Sequence, residues 1–498
     1  MRIKKILKNL YSEIIPQIVL AILGIIKSRF FLIYLGENVV GLYQVFSQVL
    51  GYLSIVEGGL GNAVVYKMYR PMSEKNYEKI AEIRNGIIKI FSRLSIIIFV
   101  LGIGMGFAIP FLIKDNCFSV AYIVLNFLIY VISELVLYST VFERAMFIAT
   151  ESTYKSNIIL KGTLIIKSCL EIVLAMYIKN ITIIFVMFVL VNAIGSIFIK
   201  MKARKEFNFI KPTNKVDLSI LSQVKNLMVH KIAGLIASNV DVILLSSFMG
   251  LSTVVVYTTY NLFVTTLVGL LGKISNAFLG TIGNILIEDK EKAFRAFKEY
   301  NCFILFIAVI IGVPFFFCVD YFINIWYSGK VVTSSIIALF FSLLLIYNII
   351  RIPLLTYTDA AGLYKETKIC PIIESVINLT LSLILINFYG VAGILFATLL
   401  SLIVSEFLIK PNIIYKNIFN KSPIDYYADV IMFIVVIAFM LCGCIYLKNT
   451  IFINGLLSLC LIGAILFIFV IVITIVICIL IKRDYFIVRL KGLIFKRK

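Results

Sequence analysis

Four cations lie inside runs of sequence that are otherwise apolar: Lys27 and Arg29 within residues 14–35, Lys273 within 254–284 and Arg351 within 334–357. A charged group at the centre of a bilayer costs about 2.5–3.5 kcal/mol, so in a membrane such groups must face protein or a wet cavity. In that setting ammonium and guanidinium groups bind anions, phosphate above all, through charge-assisted hydrogen bonds. Polar and small residues accompany them at helical spacing. Asn261, Thr265, Gly269, Lys273, Asn276 and Gly280 recur every three or four residues, and Gln44, Gln48, Gly51, Gly58 and Asn62 do much the same in an earlier run. Small residues at this spacing also serve close helix packing, which accounts for the glycines and not for the charges.

Lys27 and Arg29 stand two residues apart, about 200° around a helix, so they do not share a face. Lys27 shares its face with Gly24 and Tyr34, whereas Arg29 shares its face with Ile22, Ile25, Ile26 and Ile33. Periodicity favours Lys27 as the cavity-facing cation, although Pro16 and Gly24 can bend the span. Carboxylates in apolar runs are fewer: Glu57, Glu134, Glu171, Asp241, Glu374 and Glu406. Any of them can hold a cation in a structural ion pair instead. Lys161 and Lys167 share a run with Glu171, and His230 and Asp241, eleven residues apart, fall on nearly one helix face. Lys89 and Arg93 lie near the end of a run and can snorkel to the surface.

Other chemistries lack their residues. One histidine makes a histidine-based metal site implausible, and the nine cysteines sit mostly inside apolar runs, where a thiol acts as a small hydrophobe. Cys442 and Cys444 have no zinc or redox spacing. Gly269-Leu-Leu-Gly272-Lys273 has the wrong spacing for a phosphate loop. No cofactor or metal is expected.

The elements that must position these groups are membrane spans. The chain has 498 residues, 61% hydrophobic and 15% charged, with a mean hydropathy of +1.04. A soluble domain is about half apolar and about a quarter charged. A span needs about 20 mostly apolar residues. This predicts an all-α integral membrane protein with about fourteen helices, near 14–35, 41–65, 87–113, 120–142, 158–178, 181–199, 227–250, 254–284, 302–322, 334–357, 369–388, 391–409, 429–447 and 453–481. No small-residue cleavage site follows the first run, so the first span is expected to stay in the mature protein.

Connections alternate in length and charge. The short ones, such as 36–38, 114–119, 180 and 251–253, are poor in Lys and Arg; the long ones, 67–86, 143–157, 200–226, 285–301 and 410–428, are basic. About 34 of the 47 Lys and Arg lie on the second side together with both termini, against about 4 on the first, which places the basic side and both ends in the cytoplasm. The net charge of +21 is therefore mainly a topology signal, with attraction to anionic lipid, and does not imply nucleic acid.

The chain also repeats. Residues 36–43, GENVVGLY, and 250–257, GLSTVVVY, both join a pair of spans, and at the same offset Gly58 matches Gly272 and Asn62 matches Asn276. Tyr154-Lys155 and Tyr364-Lys365 follow the fourth and tenth spans. The expected organisation is a six-span lobe at 1–205, a cytoplasmic linker at 206–226, a second six-span lobe at 227–410, and two more spans with a basic tail at 411–498. A six-span repeat relates the lobes by an axis along the membrane normal. The residues thus describe a two-lobed transporter with a cationic central cavity.

This architecture resembles the polysaccharide-transporter branch of the multidrug/oligosaccharidyl-lipid/polysaccharide (MOP) exporter superfamily. Residues 29–43, RFFLIYLGENVVGLY, are similar to the opening signature of O-antigen flippases of the Wzx type, in which an arginine precedes the Leu-Gly pair. On that resemblance Arg29 is favoured, where periodicity favours Lys27. Residues 238–257, SNVDVILLSSFMGLSTVVVY, with Asn239 and Asp241, also resemble the family, as do AAGLYKETK at 360–368, Asn378, and YGVAGILFATLLS at 389–401.

The resemblance implies that lipid-linked oligosaccharide on undecaprenyl pyrophosphate is flipped across the bacterial cytoplasmic membrane by two lobes rocking about the cavity. Lys27 and Arg29 would bind the pyrophosphate, with Lys273 and Arg351 opposite them and Asn62, Asn239, Asn261 and Asn276 as polar lining. Relatives couple to protons or sodium, for which Asp241, Glu134, Glu171 and Glu374 are the candidates. A lipid II flippase shares this chemistry. A cation-coupled multidrug exporter would show a cavity dominated by carboxylate and aromatic groups. An enzyme would need a sizeable segment outside the membrane, and the longest outer loop, near 327–333, is too short.

Overall fold

The computed structural model describes residues 2–54, 60–219, 240–453 and 455–480, and among them there are helices and no strands. The helices are α1 (Arg2–Tyr34), α2 (Glu37–Leu53), α3 (Leu60–Ser73), α4 (Tyr77–Ala108), α5 (Val120–Tyr138), α6 (Val141–Ala149), α7 (Thr153–Tyr177), α8 (Ile181–Glu206) and α9 (240–248). They continue as α10 (Leu251–Glu288), α11 (Lys290–Trp326), α12 (Ser335–Ile350), α13 (Ile352–Ala361), α14 (Tyr364–Thr367), α15 (Ile369–Leu402), α16 (Lys410–Ile414), α17 (Ile424–Thr450) and α18 (Leu456–Leu480). The chain divides into two compact units, Met1–Val255 and Val256–Lys498.

Among the described residues ten helices are long and apolar enough to cross a membrane. One of them, 56 residues from Tyr364 to Phe419, contains two of the expected spans. Straight, it would run about 84 Å, far beyond a bilayer. It does not run straight. Gly390 takes φ 54° and ψ −129°, and Asn378 Nδ2 donates to Thr398 Oγ1 at 2.9 Å, twenty residues on. A straight helix would hold those residues about 30 Å apart, so the chain reverses at Gly390 into an antiparallel pair. Glycine suits this turn because side chains disfavour positive φ.

The remaining expected spans fall outside the ten for identifiable reasons. Helix α7 carries Lys161, Lys167 and Glu171, too many charges for a simple apolar span. The second span covers α2, residues 55–59 outside the described residues, and the start of α3. The seventh lies mostly within 220–239, also outside them, together with His230 and Asn239; Glu57, Gly58 and the side chain of Asn62 are outside as well.

In the first unit α1 packs on α7, α7 on α8, α8 on α5 and α5 on α4. Ser246 and Ser247 of α9 both donate to the Leu112 carbonyl at 2.9 Å, which ties this segment to the turn that follows α4. In the second unit α11 is central and packs on α12, α17 and α18, while α12 also packs on α15. The two glycines of the repeat do the same local job: Gly36 has φ 83° and Gly250 φ 92°, each immediately before a helix.

The residues expected as a linker do not hang free in the described part. Residues 207–219 lie as a strap over α3 and α4. Asn85 Nδ2 donates to the carbonyls of Thr213 at 2.6 Å and Lys215 at 3.0 Å, and the Asp217 N–H donates to Glu82 O at 3.1 Å. The Asp217 carboxylate meets Lys67 at 3.3 Å and Lys79 at 3.0 Å, and accepts from the Ser219 N–H and hydroxyl. Burial pushes that carboxyl up, but the Ser219 hydrogen bonds and the two lysines outweigh it and hold it well below the usual range.

Candidate functional site

Each unit holds a cluster of charges that includes residues singled out from the sequence, and the second unit also holds a separate buried pair, Lys448 with Asp320 at 2.7 Å. In the first unit, α1 and α7 bring Lys27 Nζ to 3.0 Å from Glu171 Oε2. The Glu171 side chain is 2% exposed and that of Lys27 23%, so the carboxylate lies beneath and the ammonium at the edge. The rings of Phe31 and Tyr43 stand 5.7 and 5.8 Å from the ammonium, near enough for their faces to attract it. A second pair joins α7 to α5: Lys167 lies 3.7 Å from Glu134 and 3.8 Å above the Phe188 ring. Nearer the start of α1, Glu13 meets Lys161 at 3.4 Å and accepts from Asn157 at 3.0 Å. Arg29, two residues past Lys27, is half-buried.

In the second unit the cluster is a triad. Arg351 sits at the join of α12 and α13, where Pro353 opens the new helix. Glu406 lies in a π-helical turn, Ile403–Phe407. Such a turn displaces the backbone bonding pattern by one residue. Here the buried Tyr347 hydroxyl donates to the Leu402 carbonyl at 2.9 Å, pinning the turn to α12. Lys410 Nζ is 2.7 Å from Glu406 Oε1, with both side chains 6% exposed, while Arg351 Nη1 is 3.7 Å from Glu406 Oε2 and 25% exposed. Lys410 therefore holds the carboxylate and Arg351 is the looser partner. Glu374 is half-buried within electrostatic reach of all three and, among the described residues, makes no ion pair.

The polar stripe of α10 is open. Thr265, Gly269, Asn276 and Gly280 are exposed, and Asn261 and Lys273 half-buried. Among the described residues, a Cβ added at Gly269, Gly272 or Gly280 would meet no atom within 4 Å, and the same holds at Gly24 and Gly51 in the first unit. Close packing therefore does not explain these glycines. Asp241, on α9, is buried.

Of the residues singled out from the sequence, the structure brings Lys27 to Glu171 and Arg351 to Glu406 and Glu374, and puts Lys273, Asn261 and Asn276 on one helix. Glu134 meets Lys167 rather than either cation of α1. Sequence reading passed over Lys410, which it placed in a basic connection and which is buried at 5% exposure. The signal was present as Glu406 and Lys410 at i,i+4, a spacing that brings opposite charges together on a helix.

The fold is that of the MOP superfamily transporters. A lipid II flippase, MurJ, in its inward closed conformation superposes with a TM-score of 0.69 at 18% identity, over 92% of this chain and 96% of that one. The Vibrio cholerae MATE transporter VcmN in its bent form matches with a TM-score of 0.53 at 15% identity, over 82% and 97%. A MOP superfamily transporter from Pyrococcus furiosus, with a binding pocket described as reversed in polarity, matches with a TM-score of 0.57 at 14% identity, over 83% and 96%. No family model and no curated protein matches the chain.

Proposed function

We propose that the chain is a flippase that moves a lipid-linked oligosaccharide, carried on undecaprenyl pyrophosphate, across the bacterial cytoplasmic membrane by alternating access, with both termini in the cytoplasm. The observation that carries this is the shared order of charge in the two clusters. In each unit one carboxylate is buried, at 2% for Glu171 and 6% for Glu406, and its cation is the more exposed partner, at 23% for Lys27 and 25% for Arg351, whereas the neighbouring pair of the first unit runs the other way, with Lys167 at 12% and Glu134 at 35%. Carboxylates set beneath hold cations at a surface inside a membrane, and that surface suits an anionic head group. The open stripe of Asn261, Lys273 and Asn276 adds hydrogen-bond donors for a sugar or phosphate, and Arg29 is a further cation of the first unit in this reading.

Arg351 is the ligand favoured in this reading, since Lys410 holds only Glu406 Oε1, Arg351 stands 3.7 Å from Oε2 without a hydrogen bond to it, and a guanidinium has five donors. Ion coupling, where it operates, falls to Glu374 before Glu134 and Glu171, because the latter two are held by Lys167 and Lys27, with Asp241 as a further candidate. A second reading, lipid II as cargo, is favoured by the extent of the match to MurJ. Both cargoes present the same pyrophosphate.

The test is flipping of fluorescent undecaprenyl-pyrophosphate oligosaccharide and of lipid II in proteoliposomes, with and without a proton or sodium gradient. Arg351→Gln should lower the rate about tenfold or more, as one charge-assisted contact is worth about 1.5–3 kcal/mol, and Arg351→Lys should lose less. Normal flipping by Arg351→Gln at normal protein level would remove the anion-binding role of this residue. Flipping of lipid II alone would give the second reading.

A further inference from the structure

A further cationic site in the first unit shares no residue with either cluster. A cavity of about 450 Å³ opens between α4, α5, α6 and α8 in the first unit. Arg84 from α4 and Lys200 and Arg204 from α8 line it, together with Glu143 of α6 and the hydroxyl-bearing Ser95 and Tyr138. Lys200 and Arg204 are four apart and so share a helix face. Among the described residues none of the three cations forms an ion pair. That is not the rule for this end of α8, where Lys202 and Lys155 both pair with Glu206.

Among the described residues, two buried polar atoms of the cavity lining lack partners: Arg84 Nε and Glu143 Oε2 have no hydrogen bond. The Arg84 guanidinium instead stands 5.7 Å over the Phe142 ring. An unmet buried donor on a charged group costs more than a neutral one, so a cluster of this kind calls for a further acceptor. Three cations against one carboxylate fix that acceptor's sign as negative. Burial pushes the Glu143 carboxyl up while Lys200, Arg84 and Arg204 oppose that, so the carboxylate competes with an incoming anion for the same charges.

The walls say which anion. Starting from Arg84 the lining of α4 continues through Ile88, Ser92 and Ile96, one face of the helix at intervals of four. Ile88 is 52% exposed and Ile96 64%. From Arg84 to Ile96 the helix rises about 18 Å, close to the roughly 15 Å depth of one leaflet. The charged end lies near the start of α4 and the end of α8, on the side of the basic connections. The apolar end faces outward along the span. A soluble anion has no use for the second half of this groove, whereas a lipid uses both.

We infer that this cavity binds an anionic phospholipid, with the phosphodiester held by Arg84, Lys200 and Arg204 and an acyl chain laid along Ile88 and Ile96. Basic pockets between helices at a membrane surface recognise lipid head groups in this way. Guanidinium forks match the two free oxygens of a phosphodiester, and Lys200 supplies a point charge. The site is independent of the cargo reading above, whose residues do not line this cavity.

Native mass spectrometry of the full chain, delipidated and titrated with phosphatidylglycerol or phosphatidylcholine, tests it. The wild type should retain phosphatidylglycerol at least about tenfold more tightly than phosphatidylcholine. Arg84→Gln with Arg204→Gln should abolish that preference, Arg84→Lys with Arg204→Lys should keep part of it, and Glu143→Gln should tighten binding several-fold. Lys202→Gln, on the same helix but paired elsewhere, should change nothing. Retained preference in the double glutamine variant, or in the lysine variant's place should the glutamine one fail to fold an unchanged affinity on Ile88→Ser with Ile96→Ser, would overturn the assignment. Displacement of phosphatidylglycerol by millimolar inorganic phosphate, equal for long and short chains, would make it a soluble-anion site. Loss of thermal stability in Glu143→Gln with no gain in lipid affinity would mean that Glu143 is simply the counter-ion of the three cations.

Discussion

The two units enter and close their helices by the same devices and differ in how they hold buried charge. Asn76 caps α4 by accepting from the Lys79 N–H, and Asp289 caps α11 by accepting from the N–H groups of Glu291 and Lys292. A lysine from a later segment then ties down the first-turn glutamate of each capped helix, Lys215 to Glu78 and Lys421 to Glu291, both at 2.9 Å. Against that common frame, the first unit has two separate pairs, Lys27 with Glu171 and Lys167 with Glu134. The second has one carboxylate shared between Lys410 and Arg351, with Glu374 near by, besides the separate pair of Lys448 with Asp320. Caps and ties satisfy backbone and surface groups that any such helix leaves open. The charge clusters answer to no such general need, and it is in them that the two units diverge.

The largest effect should come from breaking the tighter cluster. Lys410→Met leaves Glu406 with only the looser Arg351. Removing one partner of a buried pair costs about 3–5 kcal/mol. Lys27→Met should cost about half as much, because the Lys27 side is more exposed and Lys167 already feels the charge of Glu171. Thermal midpoints in detergent would rank the two, and Lys410→Met with Glu406→Gln should recover most of the loss. Equal midpoints for Lys410→Met and Lys27→Met would erase the distinction drawn between the clusters.

How much of this could be read in the sequence depends on the range of the contact. Lys27, Glu171, Arg351 and Glu406 announce themselves as charges in apolar runs, because lipid makes them expensive. Their pairing is not legible, since Lys27 and Glu171 are 144 positions apart and nothing local selects Glu171 over Glu134. Gly36 and Gly250 were visible as a repeat, and their shared positive φ explains why glycine stands at both. The reversal at Gly390 follows from length alone, as two spans cannot lie in one straight helix. The strap is the opposite case. Residues 207–219 read as a hydrophilic connection, and only the folded chain shows their backbone laid on α4. Lys410 was missed because a cation at the end of an apolar run looks like the start of a basic loop, and the π-helical turn that draws it inward has no local sign.

A middle-sized effect should separate the strap from the rest of the first unit. A Cβ at Gly86 would lie 1.9 Å from the Asp217 carbonyl oxygen, a backbone atom that cannot rotate aside. Gly86→Leu should therefore lift the strap while leaving the Lys27 cluster in place. The strap's local opening should become about tenfold more frequent, read as faster cleavage within 207–219 by a protease at low concentration. No change in cleavage would mean that the strap is held by its termini and not by its contact with α4.

The smallest effects should come from the two lysine ties, and they sharpen the comparison because the distances are alike and the surroundings are not. Lys215 and Glu78 are 68% and 67% exposed, so water and salt screen the pair. Lys421 is 35% exposed, and its ammonium also stands 4.1 Å over the Phe294 ring. A ring face keeps attracting a cation where salt has weakened an exposed charge pair. Lys215→Ala should leave the thermal midpoint unchanged within error, and Lys421→Ala should lower it by about 1 °C. Raising salt to about 1 M, where the screening length falls to about 3 Å, should remove any effect at Lys215 and spare part of that at Lys421. Phe294→Leu supplies the decisive arm: in that background Lys421→Ala should behave as Lys215→Ala does. A salt-resistant effect of Lys421→Ala that persists without the ring would place its origin elsewhere, in the neighbouring contact of Lys298 with Asp425.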